Sequence, residues 1–453
     1  MTIDTAYLCL TDDVLDVERK QAIEEGKPFE RVAEEFETVR ELVGQDPHKH
    51  QDRAGTLLDA VEDLPVRDSY SYHEPADLDA IRESRPDGPR MVRPPTGDVY
   101  DHVLGGWLGR CAGCLLGKPV EGWMVERIHG LLKDLGMYPL RQYVPSQMPE
   151  SVWRKFRLDE VAEHHLAFAD EVDHMVRDDD LDFTIANLDI LRGDVEFDSE
   201  DVVSYWLSNF PLYKMFTAER VAYRNFSNFV LPPESATRRN PYREGIGAQI
   251  RADIFGYTHL GSPEAAAELA WRDARISHVK NGIYGEMWVA AMLAAAPGLD
   301  DREGVIRTGL SEIPAESRLT EAVEDVIGWY HDDVSYDGAV GRIHDRWDEN
   351  SMYGWLHTIS NAQIVAVGLL WGEGDFEQSI GRAVQVGFDT DCNGATVGSI
   401  VGLRTGASAL PSEWVDPLNN RVESALHSHP TRTITWLATE SYDLWLQNPR
   451  LDG

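Results

Sequence analysis

Two runs of acidic residues, each directly before a predicted helix, have the composition that a metal site requires. The first run is Asp178-Asp179-Asp180, and the apolar positions from Ile185 onward have helical spacing. Aspartate suits the start of a helix because it caps free N–H groups and matches the positive end of the helix dipole. That accounts for one or two carboxylates, and three adjacent like charges repel one another unless a cation is bound. By itself this run fits a metal site and a solvated helix start equally well.

The second run, Asp389-Thr390-Asp391-Cys392-Asn393-Gly394, decides between these alternatives. Its spacing imitates the start of an EF-hand calcium loop, but Ile400 stands at the twelfth position, where such a loop needs glutamate. What remains is a pair of carboxylates at alternate positions before a strongly apolar helix. Buried carboxylates without a cation are costly. Together with Glu121, the two runs predict oxygen ligands for one or two hard divalent ions such as Mg²⁺ or Mn²⁺.

Glu121 follows Gly117-Lys118-Pro119-Val120 at the predicted end of a helix, where a loop can present its carboxylate to a cleft. The alternative is an ordinary surface carboxylate at a helix end. Glycines at a spacing of four occur in this helix and again after the second acidic run: Gly109, Gly113 and Gly117, then Gly394, Gly398 and Gly402. Each glycine costs a helix about 1 kcal/mol relative to alanine. We therefore expect each smooth stripe to be compensated by the close approach of another backbone.

Helical periodicity dominates on both sides of a Pro/Gly-rich stretch at residues 85–97. Before it, apolar residues recur at helical spacing from Phe29 to Leu64 in an acidic segment. After it, alternating strand patterns with hairpin turns are nearly absent. The sequence predicts an all-α protein with an acidic helical extension over residues 1–96 and one all-α domain over residues 97–453.

The charge balance excludes several classes of partner. Of 453 residues, 78 are acidic and 42 basic, which gives a formal net charge of -36 and a pI of about 4.7. Such a charge argues against nucleic acid and against an anionic membrane surface. Only eight of the basic residues are lysine. We interpret this composition as adaptation to concentrated salt, as in a halophile; the alternative is an ordinary acidic cytosolic protein.

The four cysteines do not form a disulfide framework, which is typical of a reducing compartment. No signal peptide and no run of 18 apolar residues is present, so the sequence predicts a soluble cytoplasmic protein. Cys111 and Cys114 have CxxC spacing, but no second pair follows at zinc-site spacing, and we interpret them as packing residues. His164 and His165 are likewise interpreted as structural.

In these motifs and their order, the chain resembles the ADP-ribosylglycohydrolase family over about residues 100–418. Four stretches carry the resemblance: Gly117-Lys118-Pro119-Val120-Glu121, Asp178-Asp179-Asp180, the glycine-rich loop Gly245-Ile246-Gly247-Ala248-Gln249-Ile250-Arg251 with the later Ser277-His278, and Gly387-Phe388-Asp389-Thr390-Asp391-Cys392. The resemblance implies an orthogonal multi-helix bundle with two divalent cations, Mg²⁺ or Mn²⁺. It also implies hydrolysis of the bond between a ribose C1 and its acceptor.

The resemblance assigns roles to individual residues. It implies metal ligation by Asp178, Asp179, Asp180, Asp389, Asp391 and Cys392, catalytic roles for Glu121, Asp179 and Asp389, and substrate contacts from Gly245, Gly247, Arg251 and His278. Glu121 would position or deprotonate the attacking water, or protonate the leaving group. Arg251 would pair with an anionic group of the substrate or tie the acidic residues together, and His278 would lie beside the pocket or in the core.

Two positions depart from the family's motifs, because Asp178 and Cys392 stand where the family has threonine. Asp178 can keep a role at the metal, whereas a thiol is a poor ligand for a hard cation. The amide oxygen of Asn393 can substitute for it. Ile246 stands where the family often has asparagine, so the substrate is left open between an ADP-ribosylated acceptor and a small ribosyl compound. Two further alternatives are a nucleoside or glycoside hydrolase of catabolism and a non-hydrolytic, metal-stabilised binding protein.

Overall fold

The computed structural model describes residues 6–158 and 167–448, and within them helices carry nearly all of the regular structure. This confirms the predicted all-α class. His164 and His165 lie outside the described residues. The extension contains four helices: α1 (Asp12–Glu24), α2 (Ala33–Gln45), α3 (Pro47–Glu62) and α4 (Leu78–Ser84). Local sequence explains their starts, since Thr11 caps α1 through its side chain and Asp46 caps α3, with proline in the first turn.

The remainder of the described chain is a bundle of nineteen further helices and one short hairpin. The helices are α5 (Val99–Gly117), α6 (Val125–Asp134), α7 (Glu150–Lys155), α8 (Asp179–Gly193), α9 (Ser199–Asn209), α10 (Thr217–Ser227), α11 (Glu234–Thr237), α12 (Asp253–Thr258), α13 (Pro263–Ala274), α14 (Asn281–Ala295), α15 (Arg302–Leu310), α16 (Arg318–His331), α17 (Tyr336–Arg346), α18 (Met352–Leu356), α19 (Thr358–Trp371), α20 (Phe376–Val384), α21 (Thr390–Thr405), α22 (Ser412–Val415) and α23 (Ile434–Leu446). The two-residue strands β1 (Val422–Glu423) and β2 (Thr431–Arg432) pair antiparallel.

Helices α14 and α19 form the centre of the bundle, and every residue of both is buried. A helix that is apolar on all sides belongs in the middle of a large core. None of the described helices combines the length and the apolar character needed to cross a membrane.

Helices α5 and α21 lie in backbone contact along their glycine stripes. A Cβ atom on Gly109 would lie 2.1 Å from the carbonyl oxygen of Gly398, and one on Gly113 would lie 1.9 Å from that of Gly394. Alanine could not be accommodated at either position without moving a helix. The predicted close approach is confirmed, and the partner of each stripe is the other stripe. Because the pairing is antiparallel, the end of α5 meets the start of α21, and Gly117 packs against Asp391.

The segment 1–96 is joined to the rest of the protein by buried ion pairs. Arg243 lies 2.7 Å from a carboxylate oxygen of Glu18 and 2.7 Å from one of Glu25, both in or next to α1. Arg318 lies 2.9 Å from Glu74. The stretch at 85–97 is tied down as well, since Arg85 lies 2.5 Å from Glu264. The division at residues 96 and 97 stays a prediction.

Candidate metal centre

Three segments that are distant in sequence meet at one place. The end of α5 contributes Lys118 and Glu121, the start of α8 contributes Asp178, and the start of α21 contributes Asp389 and Asp391. Asp178 caps α8, accepting a hydrogen bond of 2.9 Å from the backbone N–H of Asp180. Two helices, α8 and α21, thus begin at this place, and the partial positive charge of their N-termini stabilises the ionised form of the nearby carboxylates.

The carboxylate oxygens form two overlapping groups. The first group joins Asp178, Asp180 and Asp391 with the thiol of Cys114, and its ligand atoms all lie within 4.8 Å of one another. The second group joins Asp389, Asp391 and Cys392 within the same distance. Asp391 belongs to both. Asp179, the remaining predicted ligand, lies half-buried on the wall of the adjoining cavity and belongs to neither group.

Two oxygens in these groups carry no hydrogen bond from any described residue, although they are buried: Oδ2 of Asp180 and Oδ1 of Asp391. Their residues are 0% and 3% exposed. An unsatisfied buried carboxylate oxygen costs free energy that a bound cation removes. Hard oxygen donors are also the chemistry that Mg²⁺ and Mn²⁺ prefer. The residues therefore fit a divalent cation. The amide oxygen of Asn393 is buried and unpartnered among described residues too.

The crowding of carboxylates makes most of them hard to ionise. Burial, aided by the neighbouring aspartates, raises the pKa of Asp179 to about 6. Burial likewise raises the pKa of Asp180 and of Asp389 well above the ordinary value, in Asp180 despite an ion pair with Arg110. The pKa of Glu121 is raised well above its usual range by burial and by the neighbouring carboxylates. A cluster of this kind is the electrostatic environment that a cation relieves.

Lys118 is a further member of this site, and its sequence motif did not predict a role for it. Its ammonium contacts Oδ2 of Asp178, and the residue is only 5% exposed. Burial opposes ionisation of Asp178, but the charges of Lys118 and Arg177 outweigh it and lower the pKa of that carboxyl. Two features of the sequence point to this lysine. Three consecutive aspartates need a nearby positive charge, and Lys118 lies in the same motif as Glu121.

Arg110 and Cys114, both on α5, also lie at this site, and the sequence did not predict a role at a metal centre for either. The Arg110 guanidinium lies 3.1 Å from Asp180 and 2.8 Å from Asp253, with all three side chains fully buried. Cys114 was predicted to be a packing residue; it is fully buried, and its sulfur joins the first group of ligand atoms. Cys111, its CxxC partner, is buried in the core. The packing of α5 against its neighbours places Cys114 at the site and Cys111 in the core, and the CxxC spacing alone does not distinguish them.

A cavity of about 760 Å³ opens beside the acidic residues. Its acidic side is formed by Glu121, Asp178, Asp179, Asp389, Asp391 and Cys392. Apolar and aromatic residues line the cavity as well, among them Tyr242, Ile246, Trp355 and Leu356. Trp355 is fixed by donating its indole N–H to the Phe388 carbonyl at 2.7 Å. The volume is within the range of small-molecule sites.

Three basic side chains besides Lys118 line the same cavity: Arg177, Lys214 and Arg220. Lys214 is exposed, and the two arginines are half-buried. Arg177 is held by Asp182 at 2.7 Å, and Arg220 lies over the ring of Tyr7, 4.7 Å from its centroid. The lining of the cavity thus combines acidic with basic side chains.

The predicted substrate residues divide into two sets. Gly247 lines the cavity, and a Cβ there would lie 2.1 Å from a carboxylate oxygen of Glu219. Gly245 is buried next to it and forms a backbone bridge to His357. Arg251 and His278 are fully buried and do not line the cavity; both approach Glu219, which does.

The contact with Glu219 belongs to a set of ion pairs around Arg251. Its guanidinium lies 3.0 Å from Glu219 and 2.5 Å from Asp273. His278 approaches Glu219 at 4.0 Å, and burial together with the charge of Arg251 lowers its pKa well below the ordinary value. Of the two roles considered for Arg251, its contacts fit the one that ties acidic residues together, and His278 has the position of a core residue.

Comparison with known proteins gives three findings. Residues 95–445 match the model of a family described as ADP-ribosylglycohydrolase. The chain is 22% identical over 352 residues to an uncharacterized protein of Archaeoglobus fulgidus, covering 76% of this chain and 97% of that protein. A solved structure described as an ADP-ribosylglycohydrolase-related protein complex is 19% identical, with a TM-score of 0.45, over 77% of this chain and 99% of that one.

Proposed function

The chain belongs to the ADP-ribosylglycohydrolase family and is a glycosidase, and we propose that it is a metal-dependent enzyme that hydrolyses the C1 bond of an ADP-ribosyl group. The observation that carries this proposal is the buried Oδ1 of Asp391, which accepts no hydrogen bond from any described residue and lies in a cluster of carboxylates beside a ligand-sized cavity. Asp391 belongs to both groups of possible ligand atoms, and a buried carboxylate oxygen of this kind favours a cation site.

Asp180, Asp389 and Asp391, which belong to the two overlapping groups, would hold divalent metal. When bound, such a cation orients ribose hydroxyls and lowers the pKa of a water molecule. The chain's own residues supply the rest. Glu121 lines the cavity and would hold or release the proton of the reaction, either at the attacking water or at the leaving group. The carboxylate of Asp179 would stabilise the positive charge that develops on the ribose ring.

The basic side chains of the cavity support a substrate that carries phosphate. Arg177, Lys214 and Arg220 line one cavity in a chain whose net charge is -36. Arginine and lysine bind phosphate oxygens by charge-assisted hydrogen bonds. The exposed ring of Phe216 beside them offers a face for a base. These features favour an ADP-ribosyl conjugate, with its pyrophosphate, over a neutral nucleoside or glycoside.

The test is turnover of an ADP-ribosylated peptide and of a plain nucleoside by the full-length protein with Mg²⁺, with Mn²⁺ and with EDTA. We expect release of ADP-ribose that EDTA abolishes and that Asp391→Asn reduces at least about 100-fold, because removing one charge-stabilising ligand group of a catalytic site costs roughly this factor. Asp345→Asn, an exposed carboxylate on α17, is the matched control. Turnover of the nucleoside alone would favour the catabolic hydrolase, and metal binding without any turnover would favour the binding protein.

The basic side chains give a second test of the substrate class. Replacing the Arg220 guanidinium by Gln should raise KM for the ADP-ribosyl substrate by about tenfold, since a lost charge-assisted hydrogen bond is worth roughly 1.5 kcal/mol or more. Arg154→Gln removes an exposed arginine that pairs only with Glu150 among described contacts, and it should leave KM unchanged. Equal KM values for all three proteins would argue against phosphate recognition here.

A further inference from the structure

The ammonium group of Lys118 contacts Asp178, a member of the first group of possible ligand atoms. We propose that Lys118 takes the place of one of the two metal ions, so that this centre binds a single divalent cation. The inference rests on the proposed metal-dependent function and concerns how its charge is arranged. In this inference the Lys118 ammonium permanently supplies the positive charge that a second metal ion would otherwise provide.

Contacts of Asp178 carry the first step of the argument. Oδ2 of Asp178 contacts the Lys118 ammonium, and Oδ1 accepts the backbone N–H of Asp180. Both oxygens of this carboxylate therefore already have partners within the protein. A metal ion at Asp178 would have to displace either a buried lysine or a helix cap, and each displacement leaves a buried group unsatisfied.

The position of Lys118 carries the second step. The residue follows Gly117, whose backbone is pressed against Asp391, and it forms a single 3-10 turn with Pro119. It is 5% exposed, so in this position the ammonium is largely withdrawn from solvent and its charge is balanced by Asp178. A divalent ion beside a buried ammonium is repelled twice as strongly as a second monovalent charge would be. The first group of ligand atoms, which contains Asp178, is therefore unsuited to its own ion.

Enough donors are left for one ion on the other side of the cluster. Asp389, Asp391 and Cys392 form the second group, whereas the carboxylate that forms an ion pair with Lys118 is Asp178. Oδ1 of Asp391 accepts no hydrogen bond from any described residue. Two or three carboxylates with water molecules satisfy a single octahedral Mg²⁺ or Mn²⁺. Asp391, the member common to both groups, then connects the group that would bind the ion with the group that contains Asp178, the partner of Lys118.

The experiment counts ions and tests whether they are neighbours. Full-length protein is dialysed against Mn²⁺, bound Mn²⁺ per chain is measured, and the electron paramagnetic resonance spectrum is recorded at low temperature. We expect one ion per chain with the spectrum of an isolated Mn²⁺. Lys118→Met should admit a second ion and give a spin-coupled spectrum, because the ammonium is gone and Asp178 is released. Lys118→Arg, which keeps the charge, should bind one ion.

Lys133→Met is the matched control, since Lys133 is an exposed lysine on α6; it should also bind one ion. Two coupled Mn²⁺ ions in the unaltered protein would overturn the inference and leave the metal-dependent function standing. No bound Mn²⁺ would overturn both. A folded Lys118→Met protein that still binds one ion would overturn the inference too. If that variant does not fold, judged by its circular dichroism, the stoichiometry of the unaltered protein and of Lys118→Arg decides.

Discussion

Replacing Gly398 by alanine would insert a methyl group where α5 and α21 are in backbone contact. The new Cβ would lie 2.2 Å from the carbonyl oxygen of Gly109, whereas ordinary contacts begin near 3.4 Å, so the helices would have to separate by about 1.2 Å. Overpacking of this kind costs about 1–3 kcal/mol. We expect the upper end, since the atom in the way belongs to the backbone and has no alternative rotamer. Helix propensity returns about 1 kcal/mol, which leaves a net loss of about 2 kcal/mol.

Gly328→Ala supplies the matched control for this substitution. Gly328 lies on the exposed side of α16, and a Cβ there would meet nothing within 4 Å. The same chemical change should therefore stabilise the protein by up to about 1 kcal/mol. The free energy of unfolding, measured in urea by circular dichroism, should differ between the two variants by about 3 kcal/mol.

The same substitution should also weaken the metal centre, because the α5–α21 contact positions Asp389 and Asp391 against the end of α5. Mn²⁺ affinity of Gly398→Ala should fall, while that of Gly328→Ala should not. Equal unfolding free energies for the two variants would refute the claim that backbone contact holds these helices together. An unchanged Mn²⁺ affinity in a destabilised Gly398→Ala protein would refute the link between the helix contact and the site.

Three further predictions concern buried charges. Arg110→Met leaves two buried carboxylates without their ion pair and should lower the free energy of unfolding by about 3–5 kcal/mol in urea titrations. Burial raises the pKa of Glu219 to about 7 from an ordinary 4.5. Between these pH values the native protein binds one more proton than the unfolded chain, so its stability falls as the pH rises through the interval. Glu219→Gln should remove this pH dependence, which amounts to on the order of 3 kcal/mol. Arg243→Met leaves Glu18 without its ion pair and Glu25 with Lys280 alone among the described residues, and it should make the N-terminal helices susceptible to limited proteolysis. An unchanged unfolding energy, pH dependence or digestion rate would contradict the respective prediction.

Much of the fold could be predicted from sequence because helix formation is local. Periodic apolar residues identify the helices of the extension, and aspartate or threonine before an apolar run marks where a helix starts, as Thr11 and Asp178 do. The two acidic runs together indicated a cation site for the same reason, since carboxylates close together in sequence repel one another whatever surrounds them. The salt adaptation inferred from composition stays a prediction, because no structural contact tests it.

The partners of these local features could not be predicted. Lys118 and Asp178 are 60 residues apart, and their ion pair exists only because α5 ends where α8 begins. Arg251 stands in a glycine-rich loop, and only the structure shows that its side chain turns inward to Glu219 and Asp273. Sequence spacing constrains which side chains share a face of one helix, but it carries no information on which helix will cover that face.

The helical class, the acidic runs and the glycine stripes could be predicted from the sequence, because each depends on residues a few positions apart. The packing of the two stripes against each other, which brings Asp391 to Gly117 and places Lys118 among the carboxylates, is seen only in the folded protein. Packing between distant helices depends on the shape of the entire core. That packing decides which carboxylates remain without a partner, and these are the groups that would bind a cation.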